Sequence, residues 1–190
     1  MARAATEIDP ADIMILIAPM SAMEAQKEKL KNEGRLSSDN MPIYRPLVGD
    51  LVEVLAINHG ENVEIPQLWM FANIFKAGQE KTWSSALRNT SRITQPVSVQ
   101  TEQNGDLVVT ALNGFSSSVL VEDQIWSSPQ FQGAGDVVVM VDRRGLFVGH
   151  TRSPKQLQDL KKVLAGSEGN PNLMAKTLLV RRGDHWEVYP

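Results

Sequence analysis

The sequence predicts an α+β fold: a mixed, largely antiparallel sheet with helices packed on it, preceded by an N-terminal helical arm. Three observations predict it. Apolar runs occur in pairs joined by short turn sequences, which is the pattern of hairpins and hence of antiparallel strands. The stretch Leu51-Val52-Glu53-Val54-Leu55-Ala56-Ile57 is almost continuously apolar, as in a strand covered on both faces. Between the strands lie segments whose apolar residues recur at helical spacing.

The elements follow in chain order. Ile13 to Ile17 is the first apolar run. It is far shorter than the roughly 20 residues a membrane span needs. Glu7, Asp9 and Asp12 precede it, whereas a secretory signal opens with positive charge. A cytoplasmic protein is therefore expected, without membrane attachment. Ser21 and Glu24 have capping-box spacing, predicting a helix over about 21–33 that Gly34 stops. Its apolar stripe, Met23 and Leu30, is thin, so the helix is expected to lie on the rim of the domain or to dock on a partner. Ser37 to Asn40 reads as a linker, which divides the chain into an arm over 1–40 and a single α+β domain over 41–190.

In the main body, Asn58 to Asn62 is a turn cluster, and Pro66 sits in the first turn of an apolar helix reaching Phe75. A second helix is predicted over 80–91. Val97 to Gln103 and Leu107 to Leu112 flank Asn104-Gly105, a pair that tolerates positive φ and favours a hairpin. Val119 to Trp126 fits strand or helix; a helix over 120–127 is favoured. Val137 to Val141 is a core strand that Asp142-Arg143-Arg144-Gly145 turns back into Leu146 to Gly149. Ser153 caps a helix with Pro154 at its first position, Leu157, Leu160, Val163 and Leu164 form its stripe, and Gly166 ends it. Residues 167–175 are a loop. Thr177 to Val180 and Trp186 to Tyr189 make the last hairpin around Arg181-Arg182-Gly183-Asp184.

Composition narrows the function. The chain has 190 residues, 42% of them hydrophobic and 22% charged, which suits a folded domain rather than a disordered chain. Nineteen Lys and Arg face 22 Asp and Glu, a net charge of −3, which argues against general nucleic-acid binding and against a polybasic membrane binder. The absence of cysteine excludes disulfides, thiolate metal sites and a cysteine nucleophile.

From about Arg45 to Pro190 the chain resembles the YtpQ-like bacterial family of unknown function. Four stretches carry the resemblance: Arg45 to Val52, Trp83 to Thr90, Gly135 to Val139, and Leu179 to Glu187. Their order gives the match its weight, and residues 1–40 have no clear counterpart. The resemblance implies a mixed fold and supplies no activity and no catalytic residue.

The search for chemical motifs yields no phosphate loop, no dinucleotide fingerprint, no His-Glu-x-x-His and no nucleophile elbow. No metal and no cofactor is expected. His59 and Glu61 share one turn but supply only two of the ligands zinc requires. His150 and Arg152 precede a helix start, where free N–H groups and a partial positive charge favour anions, so Gly149 to Lys155 is a candidate carboxylate or phosphate site. Arg143 with Arg144, and Arg181 with Arg182, lie at two predicted hairpin tips. If both tips share one end of the sheet, four guanidiniums would gather and suit an acidic partner. The four tryptophans are expected in the core or half-buried.

These features favour a non-catalytic protein-protein interaction protein, of accessory, adaptor or immunity type, whose partner is another protein. A small anionic-ligand or nucleotide-binding regulator at Gly149–Lys155 is the first alternative. An uncharacterised hydrolase built around His150 and a nearby aspartate is the second. The sequence leaves the oligomeric state open.

Overall fold

Among the described residues, runs of β-branched and long apolar side chains form ten strands in two sheets. The computed structural model describes residues 8–60, 62–71, 78–102, 106–111, 114–133 and 135–190. The first sheet is built on β3 (Leu51–Asn58). On one side it pairs antiparallel with β1 (Ile13–Pro19), from Ile13↔Ile57 to Pro19↔Leu51. On its other side lie β2 (Tyr44–Val48) and the short β4 (Val63–Glu64). The second sheet comprises β5 (Val97–Thr101), β6 (Leu107–Ala111), β7 (Val137–Asp142), β8 (Gly145–His150), β9 (Leu179–Arg182) and β10 (His185–Val188). Its order is β10-β9-β7-β8-β6-β5. The pairings between these strands are antiparallel.

Alternation along the strands fixes which side chains meet. Ile13, Ile15 and Ile17 of β1 and Leu51, Leu55 and Ile57 of β3 share one core with Val137, Val139 and Val141 of β7 and Leu146 and Val148 of β8. The two sheets therefore pack through their inner faces. Helices cover the outer faces. Helix α1 (Met20–Asn32) places Met23 against Val52 and Val54. Helix α4 (Pro154–Gly166) lays Leu157, Leu160 and Leu164 on Val138, Met140 and Val180. Helix α2 (Gln79–Thr94) runs along β1, giving Trp83 and Ala86 to the inner core and Ile93 to a cluster with Met14 and Ala56. The short α3 (Asp123–Trp126) follows a 3-10 stretch over Ser116–Val121.

Helix α2 also serves the backbone of β1. Thr90 Oγ1 accepts the Ile15 N–H at 2.8 Å, Asn89 donates to the carbonyls of Pro10 and Ile13 at 2.8 Å each, and Arg92 donates to that of Ala11 at 2.9 Å. These side chains take the place of a further strand along that edge.

The α+β class, the antiparallel pairing and the order strand, strand, helix, strand, strand after Val137 match the sequence reading. Several expectations are corrected. Residues 13–32 are no arm beside the main body, because β1 is hydrogen-bonded along β3 and its side chains enter the core. The described residues form two sheets rather than one. No capping box starts α1: Pro19 is its N-cap, no side chain caps it, and Ser21 already lies inside the first turn. Ser153 is the N-cap of α4 without a side-chain cap bond. Of the helix expected after Pro66, a 3-10 turn over Leu68–Phe71 is seen, and 72–77 lie outside the described residues. The Asn104-Gly105 turn also lies outside them, while its flanking strands pair from Val97↔Ala111 to Thr101↔Leu107.

Candidate functional site: a charged cleft between the sheets

The arginines of the two hairpins do not gather. The Arg143-Arg144 turn follows the C-terminal end of β7. Strand β9 runs antiparallel to β7, with Val138 opposite Val180, so the turn after Arg182 lies at the other end of the sheet. Arg144 Nε sits 3.4 Å from Asp142, and Arg143 is exposed. Arg182 is ion-paired with Asp136, which precedes β7. Arg181 faces the interior and is only 8% exposed. The four-guanidinium patch is thus undone by strand direction, which turn sequences do not encode.

Before α4, the strand end that carries His150 is closely packed. His150 is buried, with Nε2 3.4 Å from the Phe131 carbonyl and Nδ1 3.4 Å from Gln156 Oε1. A Cβ on Gly133 would come within 2.8 Å of Nε2, and one on Gly135 within 2.4 Å of Thr151 Oγ1. Thr151 Oγ1 accepts the Asp136 N–H at 2.9 Å. Arg152 points to solvent beside this packed turn. Of the residues expected to hold an anion over Gly149–Lys155, Gly149 and His150 are thus buried, while Arg152 and Lys155 are exposed. His59 pairs with Glu64 at 3.2 Å, and Glu61 lies outside the described residues. Among the described residues no group of three His, Asp or Glu side chains is placed to hold a metal ion.

Charged and aromatic side chains converge elsewhere, where the edge of the first sheet meets that of the second. Glu53 is the lone charge in the apolar run of β3, and alternation turns it toward the inner layer, where it is 7% exposed. Burying a carboxylate without a partner is costly, and the register supplies one: Arg45 stands opposite on β2, its Nε 2.5 Å from Glu53. The Arg45 guanidinium also lies over Trp83 of α2, 4.4 Å from the ring centre. The second sheet repeats the device. Arg181 pairs with Asp123 of α3 at 2.9 Å and lies 5.5 Å from the ring centre of Trp186 on β10. Trp186 donates to the Leu120 carbonyl at 2.8 Å and meets Trp126 edge-on at 5.1 Å.

Two hollows flank these pairs. One, of about 360 Å³, is lined by Arg45, Trp83, Tyr44 and Glu80. The other, of about 260 Å³, is lined by Glu53, Asp123, Arg181, His185 and Trp186. They meet at the Arg45–Glu53 pair. At the rim, His185 Nε2 is 3.0 Å from Glu187, and Nδ1 is 3.4 Å from Asp184. The hydrogen bond to Glu187 first, then that to Asp184, raises the imidazole pKa above its ordinary value, which favours the charged form.

Sequence reading placed Arg181 at a hairpin tip but missed the cleft. The isolated Glu53 was the available signal; its partner Arg45 depends on register, and Asp123 and Trp186 on contacts between distant elements. No family model, curated protein or solved structure matches the chain.

Proposed function

We propose that the protein is a non-catalytic binder of another protein, of accessory, adaptor or immunity type, and that the cleft between the sheets is its contact face. The observation that carries this reading is the repeated unit of an arginine held over a tryptophan and paired with a carboxylate. Tryptophan and arginine dominate the energetics of protein interfaces, and a guanidinium already fixed by stacking loses little freedom on contact. One hollow lies at the low end of the roughly 300–1,000 Å³ of small-molecule pockets and the other falls below it, sizes that suit single anchoring side chains of a partner. The histidines lie apart: His150 inside, His59 on the turn before β4, His185 on β10. That separation favours recognition over acid–base chemistry, which needs groups within hydrogen-bond reach of one reacting centre.

Capture from the native cell tests the reading. The wild type is expected to retain a stoichiometric protein, and the rim variant Asp184→Arg/His185→Glu to lose it at least about tenfold, the size of a 1.4 kcal/mol change. Both groups are exposed, so the variant is expected to melt with the wild type. Equal capture by wild type and variant would reject the cleft as the contact face.

A further inference from the structure

Every open sheet edge presents unpaired backbone groups, and proteins ordinarily guard such edges. Among the described residues, three of the four sheet edges carry a recognisable guard. Side chains of α2 occupy the backbone of β1. Strand β2 holds Pro46, which has no N–H to offer, beside Arg45. Strand β10 carries exposed His185 and Glu187. The fourth edge, β5, reads Val97-Ser98-Val99-Gln100-Thr101, without charge or proline. Its register with β6 runs unbroken, so no bulge twists it away. Ser98, Gln100 and Thr101 are exposed.

We propose that β5 pairs antiparallel with β5 of a second copy of this chain, about a two-fold axis at Val99, joining two six-stranded sheets into one. The strand is self-complementary in that register. Ser98 falls opposite Gln100, Val97 opposite Thr101, and Pro96 opposite Glu102, so no like charges oppose each other. The β-branched pair Val97–Thr101 is of the kind that stabilises cross-strand neighbours. The contact is isologous and closes, so it yields a dimer and not a fibre. It is independent of the partner assigned to the cleft.

Sedimentation equilibrium tests it, the wild type being expected at twice 21.0 kDa. Ser98→Lys/Gln100→Lys sets lysines against each other across the axis and is expected to be monomeric. Ser98→Glu/Gln100→Lys sets opposite charges face to face and is expected to remain dimeric. Both variants change exposed positions, and matched melting curves verify that they fold. A monomeric wild type at its highest soluble concentration, a dimeric double-lysine variant, or a monomeric mixed-charge variant would each overturn the pairing.

Discussion

Glu122 shows how one buried group couples stability to pH. Its side chain is 4% exposed, and burial raises its pKa from the ordinary 4.5, opposed by hydrogen bonds with Thr94, Ser91 and Gln95. A raised folded-state pKa means that the native protein holds this proton more tightly than the unfolded chain does. The resulting stabilisation is complete below the unfolded value and is lost as pH rises through the folded one. Urea melts at a series of pH values are therefore expected to show Glu122→Gln losing less stability than the wild type as pH rises above 4.5. Parallel curves would contradict this. At the same scale, the sequence showed residue types but not their company. Glu53 is a lone charge in an apolar run, yet nothing local announces Arg45 as its partner. His150 looked like a ligand-facing residue because the chain around it resembles a helix start; Gly133 packs directly on its ring, and the missing side chain there makes room for it.

At the scale of elements, α2 and β1 form the most informative pair. The Ile15 N–H is buried and meets Thr90 Oγ1. Thr90→Val keeps the shape and removes the acceptor, and is expected to cost about 1–3 kcal/mol in chemical denaturation, the usual penalty for an orphaned buried donor. A cost below about 0.5 kcal/mol would mean that this bond does not hold the edge. Helices α1, α2 and α4 and the hairpins β5–β6, β7–β8 and β9–β10 were legible because their signals are local: apolar spacing, Gly and Pro punctuation, short turns. The role of Ile13 to Ile17 was not, since an apolar run of that length does not say which strand it joins. Its partner β3 begins only after α1 and β2 have intervened.

At the scale of the molecule, the two sheets share one core, and the N-terminal segment supplies part of it. Ile13, Ile15 and Ile17 sit in that core, and Met14 lies on the other face of the same strand. Removal of residues 1–32 is therefore expected to abolish cooperative unfolding by circular dichroism, not merely to shed a docking helix. A truncated chain that melts like the whole would show β1 to be dispensable. The sequence conveyed the α+β class, but the split into two sheets turns on pairings between segments far apart along the chain, and so does the end at which each arginine turn lies.

Strand β3 is enclosed from every direction: β1 and β2 at its sides, α1 on one face, the second sheet on the other. A change of volume along it has nowhere to relax, because each side chain already abuts a packed layer. Evolutionary drift in this protein is accordingly cheapest at its periphery, and that one ribbon is where divergence would be slowest.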